Sequence, residues 1–133
     1  MKGYNENIEP LTTANSDFRQ VLYTGKHLQL VLMTIQPGEE IGSEVHDGID
    51  QFFRFEEGTG VVDIDGVENK VEDGSGVIVP SGARHNVRNT GDRPLKLYSI
   101  YGPPEHRDGI VQATKAEAEK RHHDEEFDGK TTE

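Results

Sequence analysis

Apolar residues in this chain fall into short runs, and most runs alternate with polar residues at a period of two. Glycine, proline and aspartate separate them. That period is the mark of half-buried strands. Strands are predicted over Phe18 to Tyr23, His27 to Ile35, Glu44 to His46, Gln51 to Phe55, Gly60 to Ile64 and Val67 to Val71. Gly76 to Val79, His85 to Asn89 and Leu95 to Tyr101 complete the set. Turn signals recur at roughly eight- to twelve-residue intervals, the rhythm of a sandwich or barrel. Asp65-Gly66 is a two-residue hairpin turn by composition, because both central positions need positive φ. The fold class is therefore all-β.

His27 to Ile35 departs from the alternation. Leu28, Leu30, Val31, Leu32, Met33 and Ile35 make it almost continuously apolar, which predicts burial on both faces. In a small β protein one face would line the interior and the other would meet a partner subunit. A homodimer is expected on that ground, with the N-terminal arm contributing.

The ends carry a different pattern. Residues 1–17 are expected to form an irregular N-terminal arm, and residues 18–113 the barrel. Thr114-Lys115-Ala116-Glu117 is a capping box, so a short C-terminal helix is predicted over 114–123. The acidic stretch 124–133 reads as a disordered tail.

Composition narrows the function. The formal net charge of −11 argues against nucleic acid or an anionic membrane as partner. Cysteine is absent, which excludes disulfides and thiolate metal sites. No apolar run approaches the ~20 residues of a membrane span. The N-terminus lacks the apolar core of a signal peptide, so a soluble cytoplasmic protein is expected.

Four polar side chains stand out. Glu44 and His46 share a face of one strand, Gln51 begins the next, and His85 begins a later one. At the mouth of a small barrel, four inward groups can meet. Imidazole and carboxylate suit a divalent first-row ion such as Fe, Mn, Ni or Zn. Gln51 would add a neutral amide oxygen.

These segments resemble the two motifs of the cupins. Gly74, Pro80, Gly82, His85 and Asn89 reproduce the second motif at every spacing. Gly38, Glu44, His46, Gln51 and Gly58 follow the first, with Glu44 standing for a histidine and Gln51 for a glutamate. The resemblance spans residues 38–89. Small single-domain cupins also share an ending like Tyr101-Gly102-Pro103-Pro104-Glu105-His106. It implies a double-stranded β-helix, or jelly-roll barrel, with Glu44, His46, Gln51 and His85 as metal ligands. Asp50 is a rival for Gln51, since the family tolerates a shorter spacer. The gap to Gly58 and parity with Phe53 and Phe55 favour Gln51.

Parity assigns a pocket lining of Phe53, Phe55 and Tyr101, with Met33, Gln29 and Val31 on the opposite wall. Asn89 is expected to brace its turn. His106, near the mouth, could serve as a general acid or base but reads first as a surface histidine beside Pro104, and His27, His122 and His123 read as surface residues. Arg54 and Arg88 should face outward, leaving Arg84 as the one basic candidate for an anion. A metal with two open positions could polarise a bound carbonyl or hold substrate and dioxygen together. The chain is expected to be a metal-dependent enzyme on a small oxygen-rich molecule, either a sugar-type isomerase or epimerase or a dioxygenase. A non-enzymatic binding or sensing module is the alternative. A third reading is a barrel whose two replacements have abolished metal binding.

Overall fold

The computed structural model describes residues 1–133. Ten strands form two antiparallel sheets. In chain order they are β1 (Arg19–Thr24), β2 (Gln29–Ile35), β3 (Glu44–Val45), β4 (Asp50–Glu57) and β5 (Gly60–Ile64). There follow β6 (Val67–Val71), β7 (Gly76–Val79), β8 (Arg84–Asn89), β9 (Leu95–Gly102) and β10 (Val111–Gln112). One sheet has the order β10-β1-β2-β9-β4-β7 and the other β3-β8-β5-β6. This is the expected jelly-roll barrel, with a short helix, α2 (Lys115–Lys120), near the C-terminus.

Strand register stacks the inward side chains in layers. Gln29, Tyr101 and Gln51 lie side by side across β2, β9 and β4. Below them come Val31, Ser99 and Phe53, then Met33, Leu97 and Phe55, then Ile35 and Leu95. On the opposing sheet His85, Val87 and Asn89 descend beside Ile64, Val62 and Gly60. The barrel thus has a polar mouth and an apolar floor. Phe53, Phe55, Met33, Ile35, Leu95, Leu97, Val62 and Val87 belong to one buried core.

Two turns show why particular residues are needed. Asp65 and Gly66 both have positive φ, as the hairpin requires. Gly58 has φ +92°, and a Cβ there would come within 2.7 Å of the Pro94 carbonyl oxygen. Only glycine allows that approach.

Three expectations are corrected. The N-terminal arm is not wholly irregular, because Ile8–Ala14 forms a helix, α1. Pro10 sits in its first turn, where a missing N–H costs nothing. The helix packs on the outer face of β9 and β4, and Asn15 and Thr34 exchange hydrogen bonds that dock it beside β2. On the outer face of β2, Leu32 is buried within this chain and Leu30 is half-buried. The strand also begins at Gln29, not His27, and Leu28 is exposed. Finally, residues 124–133 pack against the barrel. Phe127 N donates to the Glu105 carbonyl at 3.0 Å, and Thr132 N to that of Thr24 at 2.8 Å. Composition could not reveal these bonds, which form with distant backbone. The C-terminal helix has the expected cap: Glu117 N donates to Thr114 Oγ1, and the Glu117 carboxylate accepts from Ala113 N. No helix is long and apolar enough to cross a membrane.

Candidate metal centre

Glu44 and His85 are direct cross-strand partners in the β3–β8 pair, so their side chains emerge on one face. His46 follows Glu44 at the end of β3. One ligand atom from each of Glu44, His46 and His85 lies within 4.8 Å of the other two. The halves of this cluster are stitched together by backbone. Gly82 N donates to the His46 carbonyl at 3.0 Å, Gly48 N to Ser81 Oγ at 2.6 Å, and Ser81 N to Asp50 Oδ1 at 2.8 Å. The Pro80-Ser81-Gly82 turn thereby holds the loop after β3 in place. Asp50 is exposed and spends a carboxylate oxygen on this clasp, which removes it as a rival ligand.

His85 places Nδ1 3.1 Å from the Ala83 carbonyl. Donation from Nδ1 leaves the Nε2 lone pair facing the cluster. His46 Nε2 is enclosed and has no hydrogen-bond partner. Glu44 Oε2 lies 2.9 Å from it as an ion pair. Gln51 is buried in the mouth layer, donates from Nε2 to Ser99 Oγ at 2.9 Å, and leaves Oε1 with no partner. Buried acceptors are rarely orphaned. A carboxylate, two imidazoles and a spare amide oxygen form a donor set that fits a divalent first-row ion.

The cupin domain family model matches residues 31–101. The chain belongs to that family. The uncharacterized protein YrkC of Bacillus subtilis is 47% identical over 123 residues, covering 88% of this chain. The chain spans 66% of that relative's length, just under two thirds. A solved structure, BH2720 from Bacillus halodurans, is 49% identical with a TM-score of 0.88, over 90% of this chain and 95% of that one. An RmlC-like cupin from Shewanella frigidimarina is 25% identical with a TM-score of 0.58, over 64% of this chain and 74% of that one.

In this cupin, an open cleft of about 260 Å³ reaches the cluster at Glu44. Its walls include Phe18, Arg19, Glu105 and His106, and α2 supplies Lys115 and Ala118. None of the residues expected to line the pocket lies on this cleft. Phe53 and Tyr101 border the cluster from within, with ring centroids 6.4 Å from His85 and 6.0 Å from His46. Phe55 and Met33 sit one layer deeper as fully buried core, because the register puts them nearer the floor. Gln29 is a clamp and not a free wall. Its Oε1 accepts from Glu105 N and His106 N, and its Nε2 donates to the His106 carbonyl and Thr24 Oγ1. Asn89 braces its turn through Ile35, Gly91 and Arg93, as expected.

The electrostatics follow from burial and neighbours. Burial disfavours a charge on His46, but contact with Glu44 and the charges of Glu105 and Glu44 outweigh it and raise its pKa. Burial likewise opposes the Glu44 carboxylate, yet contact with His46 and the positive charges around it bring its pKa below the ordinary value. Burial lowers the pKa of His85 and raises that of Glu105. Burial also pushes the Tyr101 phenol above its usual value, so it stays protonated. His106 is half-buried rather than a free surface residue. Burial and the charges of Arg19 and His46 keep its imidazole neutral, with Nε2 3.2 Å from Tyr101 Oη.

Sequence reasoning missed Arg19 and Glu105 as groups of the site, and ranked His106 as a surface residue ahead of an acid or base. Arg19 opens β1 directly after an unpatterned arm, and its role depends on the cleft beneath α2. The basic residue expected for an anion, Arg84, is exposed and donates to Ser43 Oγ at 3.2 Å. Arg88 pairs outward with Asp63.

Proposed function

We propose that this cupin is a metal-dependent enzyme that moves a proton on a small, oxygen-rich molecule, as in a sugar-type isomerisation or epimerisation. The observation that carries it is the convergence of Glu44, His46 and His85 beside the orphaned buried acceptor Gln51 Oε1. These four residues would hold the ion. Bound there, a divalent metal supplies Lewis-acid polarisation of a carbonyl or hydroxyl oxygen.

The chain's own groups supply the proton chemistry. Glu105 lies on the cleft, 3.7 Å from His46 Nδ1, and burial raises its pKa toward the range useful for a general base. Tyr101 stays a neutral phenol and can donate to a developing oxyanion. His106, beside Tyr101 Oη, is a neutral partner able to return that proton. Gln29 holds Glu105 and His106 in register by binding their backbone, so the base has a fixed position.

Two measurements test this. Elemental analysis should find about one ion per chain in wild type and almost none in the His46→Ala/His85→Ala double variant. Equal, near-zero content in both would overturn the metal reading. Metal-loaded protein in D2O, given sugars, uronates and keto acids, should exchange a carbon-bound proton of one of them, and Glu105→Gln should abolish the exchange. Oxygen uptake would replace proton transfer with oxidation. Tight binding without exchange would make the protein a sensor.

A further inference from the structure

Arg19 is a buried cation whose Nε has no partner. It is 7% exposed and lines the cleft beside Glu44, Glu105 and His106. No carboxylate lies within ion-pair distance of it. Its Nη1 donates to Gln112 Oε1 at 2.7 Å, and Gln112 in turn donates from Nε2 to Glu125 at 3.3 Å. The guanidinium is therefore oriented by a neutral amide that leaves its charge uncompensated. Its face stacks over the Phe18 ring, 5.2 Å from the centroid. Nε is enclosed without a partner, while Nη2 makes no bond and is not enclosed. A buried cation without a counter-ion is expensive, and a guanidinium fork matches a carboxylate in two parallel bonds.

The acidic lining does not meet this need. Glu44 belongs to the metal set, Glu105 faces His46, and Glu119 sits on α2 next to Lys115, 3.9 Å away. Lys115 places a second cation on the same cleft. Arg19 and Glu44 feel each other's charge, and an ion on Glu44 would neutralise that carboxylate.

We propose that Arg19 anchors a carboxylate subsite, and that the ligand of the cleft is a small hydroxy- or keto-acid. Its distal carboxylate pairs with Arg19, and its oxygenated end faces Glu44, His46 and His85. The subsite rests on the metal reading for the second half of that pose and on Arg19 alone for the first.

Calorimetric titration of the metal-loaded, full-length protein separates the two. The probes are malate and 2-oxoglutarate, each against its distal monoamide, which keeps the chelating end and loses the remote charge. Wild type should bind at least one acid roughly ten- to hundredfold more tightly than its amide, the strength of a charge-assisted pair. Arg19→Gln should erase that preference, and Arg19→Lys should restore part of it, which a folding defect would not. Equal binding of acid and amide by wild type overturns the subsite. So does a preference that survives Arg19→Gln, or failure of both acids to bind up to about 10 mM. If the preference persists unchanged in metal-stripped protein, the subsite stands and the metal reading falls.

Discussion

The mouth and the floor of this barrel are built on the same strands, yet their polar groups behave in opposite ways. At the floor, Asn89 is buried and fully engaged, with bonds to the Ile35 and Arg93 carbonyls and from Gly91 N. Around it Ile35, Leu95 and Leu97 close the core. At the mouth, Gln51 Oε1 and Arg19 Nε are equally enclosed and have no partner. A buried polar group that is fully paired stabilises the fold. One left unpaired costs stability unless something from outside completes it. The contrast separates structural polarity from functional polarity within one barrel.

The largest effect should come from the floor. Phe55 is fully buried between Phe53 and the Leu97 layer. Phe55→Ala should cost about 3–5 kcal/mol by chemical denaturation, while the folded fraction keeps its metal content. Loss of metal affinity from the folded variant would break the division between floor and mouth.

A mouth substitution should do the reverse. Gln51→Leu removes an unpaired acceptor and one hydrogen bond to Ser99. Metal-free stability should change by no more than about 1 kcal/mol. Metal affinity should fall by at least the roughly 10–100-fold known for losing an outer partner of a ligand. A large loss of stability with unchanged affinity would assign Gln51 to the core.

The smallest effect is a dependence on pH whose sign differs between the metal-free and loaded protein. The raised His46 pKa contributes stability that is complete below about 6.5, its ordinary value, and is lost as the pH rises through the raised one. The lowered Glu44 pKa contributes stability that is complete above 4.5 and is lost as the pH falls through the lowered value. In the metal-free protein the pair should therefore stabilise most between these limits, by on the order of 1 kcal/mol at most, since Glu44 is 35% exposed and screened by water. Metal binding must displace the His46 proton, so affinity should climb with pH over the range where the pair weakens. Denaturation of metal-free protein and metal titration, each run across pH, check the two slopes.

Much of the barrel was legible before any coordinates. Strand positions, the Asp65-Gly66 hairpin, the Thr114 cap and the inward parity of Gln51, Phe53 and Phe55 all rest on local rules of period and turn chemistry. What misled was also local. The α1 segment carries too short a pattern to announce a helix, and its packing on β9 and β4 decides it. The apolar run of β2 marks its inner face as buried, but on the outer face Leu32 is buried while Leu28 is exposed, a difference the run does not carry.

The site divides along the same line. His85 and His46 stand at positions that spacing alone picks out, because the period of a strand and the turn at Pro80-Ser81-Gly82 are properties of neighbouring residues. The roles of Glu105, His106 and Arg19 depend on Gln29 clamping a loop from 77 residues away and on Gln112 turning a guanidinium into a cleft roofed by α2. Sequence by itself determined the strands and the ligand types. Only the tertiary structure decided which buried groups are paired and which are left open, because pairing across sheets is set by register and loop closure, and neither is a local quantity.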